Sequence, residues 1–150
     1  MNEISLLNNF VIDFFNNHEL VNTISIVPTL EIDFNKENIY PLVNLDLKQT
    51  EITNDVIILS YTITIIQQRD IKPIKIDSKL LSNTNFIDNI NETHSIAQRF
   101  INVLNRQNNP DNIEIQEYST LRILKEWGMS ACDGVQFDID LSIPNIGSSC

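Results

Sequence analysis

The chain has 150 residues, 42% of them hydrophobic and 20% charged, with a formal net charge of −10. That length suits one domain, residues 1–150, which buries roughly 68–70% of its unfolded surface and needs no disulfide or metal to fold. The acidic balance argues against a binder of nucleic acid or anionic membranes, since both need clustered Lys and Arg; the densest cationic stretch, Lys72, Lys75 and Lys79, is interleaved with Asp70 and Asp77.

The opening residues, Met-Asn-Glu-Ile-Ser, lack the basic and apolar regions of a signal peptide, and no apolar run approaches the ~20 residues that span a bilayer. A soluble protein without a membrane anchor is expected. Leu7, Phe10, Val11, Phe14 and Phe15 recur at helical period, while Asn8, Asn9, Asp13 and Asn16 fill the other face, so a first helix ends near Asn16 and Asn17. Residues 23–27 form a short strand stopped by Pro28, and residues 30–34 a further one. Over residues 42–49, Val43, Leu45 and Leu47 point one way and Asn44, Asp46 and Lys48 the other. Residues 56–67 are rich in β-branched side chains around Tyr61. They read as a central strand, paired in a hairpin across Thr53, Asn54 and Asp55 and covered on both faces.

Residues 70–85, interrupted by Pro73, read as a loop with a short helical turn. A second helix follows over residues 86–107, with Ile90, His94, Ala97, Ile101 and Leu104 on its apolar face, widened by Phe100 and Val103; Asn108 to Asn112, around Pro110, break the chain. Ile113 and Ile115 alternate with Glu114 and Gln116, and residues 120–124 make another short strand. Asp133-Gly134 is a turn signal. Val135, Phe137, Ile139, Leu141 and Ile143 then alternate without error against Gln136, Asp138, Asp140 and Ser142 until Pro144. This element order predicts an α+β fold, a mainly antiparallel sheet with an N-terminal helix and one long helix packed across it.

The residues that could carry chemistry do not converge. His18 and His94 have no Cys, His or carboxylate at ligand spacing, and His94 reads as a core or boundary histidine. Asp138 and Asp140 share a strand face about 7 Å apart, but that is the polar face; Glu31 and Asp33 form a similar pair. Three glycines, Gly128, Gly134 and Gly147, are too dispersed for a phosphate loop. Cys132 and Cys150 make no disulfide framework and suggest a reduced cytosolic setting; the acidic neighbour Asp133 would raise the Cys132 pKa, against a nucleophilic role. No catalytic, metal or cofactor residues are assigned, no cofactor is expected, and no enzymatic activity is expected.

The helix with Leu7, Phe10 and Phe14, the hairpin over residues 42–67, the helix from Ile90 to Leu104 and the closing stretch from Gly134 to Asn145 together resemble the tail-terminator and tail-completion proteins of tailed bacteriophages. The closing stretch and the Ile/Asn-rich composition are similar to neck proteins of crAss-like phages. The resemblance implies a virion protein of the tail or neck, made in the host cytoplasm: a ring-forming subunit of the head-to-tail connector that joins portal and tail proteins. Double-stranded DNA would pass through its lumen without specific binding, and an acidic surface fits such a lumen. It supplies no catalytic residues. Residues 35–41 and 67–85 are the expected contact regions of a homo-oligomeric ring. Two other readings stand beside it: a small-ligand binding protein or enzyme with a pocket between helix and curved sheet, lined by His94 or Tyr61, and an assembly chaperone absent from the finished particle.

Overall fold

The first helix, α1 (Glu3–Asn16), starts where the Asn2 side chain accepts the Ile4 N–H at 2.9 Å and Glu3 meets the positive end of the helix dipole. Leu7, Val11 and Phe15, spaced by four, are its buried residues. These features belong to a computed structural model that describes residues 2–32, 39–69, 85–106, 111–128 and 132–146. The chain continues through β1 (Thr23–Ser25), a 3-10 turn (Thr29–Glu31), β2 (Leu42–Ile52), β3 (Val56–Gln68), α2 (Phe86–Asn105), β4 (Glu114–Tyr118), β5 (Arg122–Trp127) and β6 (Cys132–Pro144). The expectation of an α+β fold with a mainly antiparallel sheet holds.

The six strands form one sheet in the order β1-β2-β3-β6, with β4 and β5 lying end to end along the far side of β6. Only β1 runs parallel to its neighbour β2. The β2–β3 hairpin turns where expected: the Thr53 N–H donates to the Val56 carbonyl at 2.9 Å, and Asn145 clamps the turn through bonds to Asp55 and Thr53. β3 is the central strand, with Tyr61 opposite Leu47 on one side and Ile139 on the other.

Side-chain alternation then sorts the sheet into two unlike faces. The first carries Val43, Leu45, Leu59, Tyr61, Ile63, Ile65, Val135, Phe137, Ile139 and Leu141 against both helices, and is the main core. The second has a small apolar cluster at one end, where Leu42, Ile66 and Cys132 lie with Ile32, Tyr40 and Trp127. Beyond it the second face is polar. Asn44 pairs in register with Thr64, and Thr64 with Gln136; Asp46 pairs with Thr62, and Thr62 with Asp138.

The differences from the sequence reading have physical causes. Asp133-Gly134 is not a turn but part of β6, opposite Gln67 and Ile66. A Cβ on Gly134 would run into the Ile65 carbonyl, so close strand approach, not chain reversal, demands the glycine. Of residues 30–34, expected as a strand, Leu30 and Glu31 belong to the 3-10 turn, and 33–34 lie outside the described residues. Leu47 lies on the core face, in register with Tyr61, yet is 41% exposed, and a bulge at Lys48 follows it. Asn44 and Asp46, which point the other way from Val43 and Leu45, are buried too. The 23–29 segment folds over them: Asn44 bonds Ser25 Oγ at 2.5 Å and the Val27 carbonyl at 3.0 Å, and Asp46 accepts from the Thr29 N–H and hydroxyl at 2.9 and 2.8 Å. The loop expected over residues 70–85 and the break around Pro110 fall almost wholly outside the described residues.

Candidate functional site

Where β3 ends, a buried polar cluster joins four elements. Arg69 follows β3 directly and is 8% exposed; Asp133, at the start of β6, is 0% exposed. The guanidinium grips the carboxylate with two parallel bonds, Nε to Oδ2 at 2.9 Å and Nη2 to Oδ1 at 2.6 Å, and its Nη1 reaches Glu126 of β5 at 2.6 Å. Asn89 of α2 donates to Asp133 Oδ2 at 3.3 Å and the Glu126 N–H to Oδ1 at 3.0 Å. Glu126, which supplies this N–H, holds φ 49°, a left-handed conformation. Arg69 also lies over the Phe86 ring, 5.4 Å from its centroid.

These contacts decide what the cluster can do. Burial alone would raise the Asp133 pKa, but the bonds from Arg69, the Glu126 N–H and Asn89 outweigh it and hold the carboxyl below its ordinary range. Each Asp133 oxygen accepts two bonds, so its lone pairs are filled. A saturated carboxylate neither takes a proton at neutral pH nor offers a ligand position. The cluster is a clamp that ties α2, β5 and β6 to the end of β3. Beside it, burial pushes the Cys132 thiol pKa up, with the Asp133 charge adding to the shift, as expected from the sequence.

The other sequence candidates stay apart. His94 is exposed on α2; the apolar face of that helix instead runs through Asn89, Thr93, Ile96, Ala97, Phe100, Ile101 and Leu104. Its phase is set by Asn89, whose amide also donates to the Gln68 carbonyl at 3.2 Å, and by Thr93, whose hydroxyl donates to the Asn89 carbonyl at 2.8 Å. His18 is buried at the end of α1. Tyr61 is buried, and its hydroxyl donates to Asn8 of α1 at 2.9 Å, so it faces a protein partner rather than a ligand space. Asp138 accepts from Thr62 Oγ1 at 2.7 Å and Arg122 Nη1 at 3.3 Å, whereas Asp140 makes no such pair among the described residues. Glu31 is exposed, and Asp33, Cys150, Lys72, Lys75 and Lys79 lie outside the described residues. No group of three or more His, Cys, Asp or Glu among the described residues could hold a metal ion.

What the fold does present is two open sheet edges. β1 covers only Leu42 to Asn44 of β2, so residues 45–52 have no strand beyond them among the described residues. At the opposite margin, the outer sides of β4 and β5 likewise have no paired strand among the described residues. Large apolar side chains stand exposed along both: Leu47 and Ile52 on β2, Tyr118 and Ile123 on β4 and β5. Bulges at Lys48 and Gln116 twist the two edges, a feature that limits indiscriminate pairing. Of the contact regions expected from the sequence, residues 35–38 and 70–84 lie outside the described residues. Comparison with protein-family models and with curated proteins returns no match. No helix among the described residues is long and apolar enough to cross a membrane.

The Arg69 clamp was invisible to sequence reasoning. Arg69 and Asp133 are 64 positions apart, and Asp133-Gly134 carries a turn signature. The one usable signal was the alternation after Gly134. Extended backwards, it places Asp133 on a buried strand, where a charge needs a partner.

Proposed function

We propose that the protein is a ring-forming structural subunit of a tailed bacteriophage, placed in the head-to-tail connector or tail, where it joins portal and tail proteins around the DNA passage. The observation that carries this reading is the pair of unlike open edges. β2 runs parallel to β6, since both pair antiparallel with β3, and β4 and β5 run antiparallel to β6. The β2 edge of one copy and the β4–β5 edge of the next therefore have the relative direction of an antiparallel pair. Two different surfaces joined head to tail make a heterologous contact, which closes into a ring when the rotation allows. The net charge of −10 suits a lumen through which DNA slides without adhering. The buried clamp, with its saturated carboxylate, supports a rigid building block rather than a reacting site.

The test is a mass measurement over a range of protein concentrations, with electron microscopy of the assembled species and of phage particles. A closed ring of identical subunits and the presence of the chain in virions are expected. A protein that stays monomeric at every concentration and is missing from virions would refute the proposal; rings without virion incorporation would favour an assembly chaperone.

A further inference from the structure

The two open edges cannot meet at an arbitrary height. Row by row through β3 and β6, Arg122 lies level with Asn44, Leu124 with Leu42 and Tyr118 with Leu47. The lane beside β2 is already filled by β1 at Leu42, Val43 and Asn44. Because β4 and β5 share one line along β6, a neighbour approaching without a shift would set its β5 in the place of β1. It has to slide toward the hairpin turn until Trp127, the last residue of β5, clears Asn44. An odd slide would put core-face side chains opposite polar-face ones. The smallest even slide that clears is six residues, the step along β3 from Thr64 to Ile58, and Trp127 then stops opposite Asp46.

That slide brings Arg122 opposite Glu51 on the polar face and Ile123 opposite Thr50 on the core face, while β4 runs out past the turn at Thr53. Charge favours the same strand. The uncovered stretch of β2 carries Asp46, Lys48 and Glu51, a net −1; β5 carries Arg122, Lys125 and Glu126, a net +1, whereas β4 carries Glu114 and Glu117, a net −2. Arg122 has a side chain 46% exposed and spends one N–H of Nη1 on Asp138 at 3.3 Å and one of Nη2 on Gln136 at 3.1 Å, so further donors remain for a carboxylate. Lys48 and Lys125, which meet at the bulges, are held within their own copy, Lys48 by Asp46 at 2.7 Å and Lys125 over the Phe86 ring at 5.2 Å. The geometry also suits closure. A slide of six residues is about 20 Å, and the repeat of four strands from β2 to the β4–β5 line is about 19 Å wide. Strands so placed tilt by about 45° to the ring axis, close to the tilt in closed barrels, and rotation alone can return to the first copy. We propose that β5 of one copy, not β4, pairs antiparallel with β2 of the next, Arg122 opposite Glu51 and Ile123 opposite Thr50. This rests on the ring reading and fixes the strand and register of its contact.

The experiment uses a Cys150→Ser background, which leaves the buried Cys132 as the native thiol. Two cysteine pairs are oxidised mildly in the assembled protein and read on non-reducing gels: Thr50→Cys/Ile123→Cys for the proposed register, and Leu47→Cys/Tyr118→Cys for β4 at the unshifted level. Paired residues lie about 4.5–5.5 Å apart at Cα, within disulfide reach. Within one chain each pair stands on opposite margins of the sheet, so any link joins two copies. The first pair is expected to give covalent multimers up to the ring size, and the second to stay unlinked. Glu51→Arg, which then faces Arg122, is expected to raise the concentration of half-assembly by about 3- to 10-fold in mass measurement, and adding Arg122→Glu to recover it. Thermal melts of the dilute monomers check that these exposed substitutions leave the fold intact. Rings that link through the second pair or through neither, or that tolerate Glu51→Arg unchanged, would overturn the register and leave the ring reading standing. A wild type that assembles at no concentration would overturn both.

Discussion

Replacing Asp133 with asparagine tests the clamp directly. The carboxylate accepts two bonds from Arg69 at 2.9 and 2.6 Å, one from Asn89 at 3.3 Å and one from the Glu126 N–H at 3.0 Å. Asparagine keeps the shape but loses the charge and sets an amide NH₂ against donors. Arg69 is then left buried with Glu126 alone, whose side chain is 61% exposed and well screened. Removing one partner of a buried pair costs about 3–5 kcal/mol. The surviving Glu126 contact places this case near the lower end, about 3 kcal/mol. A domain of this size loses about 2–4 °C per kcal/mol, so the melting temperature should fall by about 6–12 °C. Urea and thermal unfolding followed by circular dichroism measure it. The double variant Arg69→Met/Asp133→Leu, which removes both charges and fills the space with apolar atoms, should lie much closer to wild type. The pH dependence supplies a second arm. The folded Asp133 pKa is depressed, so its stabilisation is full above the unfolded value of about 4 and fades as pH falls through the folded value. The gap between wild type and Asp133→Asn should therefore narrow in acid. A loss below about 1 kcal/mol at neutral pH would refute the view that this pair is a buried clamp.

Gly134→Ala should destabilise by about 3 kcal/mol in urea unfolding, because the new Cβ meets the backbone of β3 at Ile65 and Ile66 and neither can yield cheaply. Asn44→Ala removes the bonds to Ser25 and Val27, leaves buried partners unpaired and should cost about 2 kcal/mol; hydrogen exchange should quicken in β1 and the following turn before the rest of the sheet. Burial raises the Tyr61 pKa far above its ordinary value. Its contribution to stability is complete below about pH 10 and is lost as pH rises further, so absorbance titration should show one of the three tyrosines ionising only with alkaline unfolding.

Much of the architecture was legible in the chain because it rests on local periodicity. Val135 to Ile143 alternate as the sequence predicts, and all five apolar residues are buried. Leu7, Val11 and Phe15 mark the inward line of α1 by their spacing alone. The site-level features were less legible because they depend on which strands become neighbours. His94 looked inward by counting from Ile90, yet Asn89 and Thr93 take the buried positions; Asn89 bonds Asp133 of the clamp, and the Thr93 hydroxyl bonds back to carbonyls of its own helix. Alternation put Asn44 and Asp46 on the face opposite Val43 and Leu45, but not the 23–29 segment that buries them.

The sequence by itself therefore determined the class of fold, the order of its main elements and the apolar side of α1 and β6, because those follow from the 3.6- and 2-residue periods of helix and strand. Tertiary structure alone decided the rest. It joined Arg69 to Asp133 across 64 positions, gave Gly134 its purpose under the Ile65 carbonyl, and left the outer sides of β2 beyond Asn44 and of β4–β5 without a paired strand among the described residues. Charge pairing, close strand approach and edge exposure are relations between distant segments, and no local pattern encodes them.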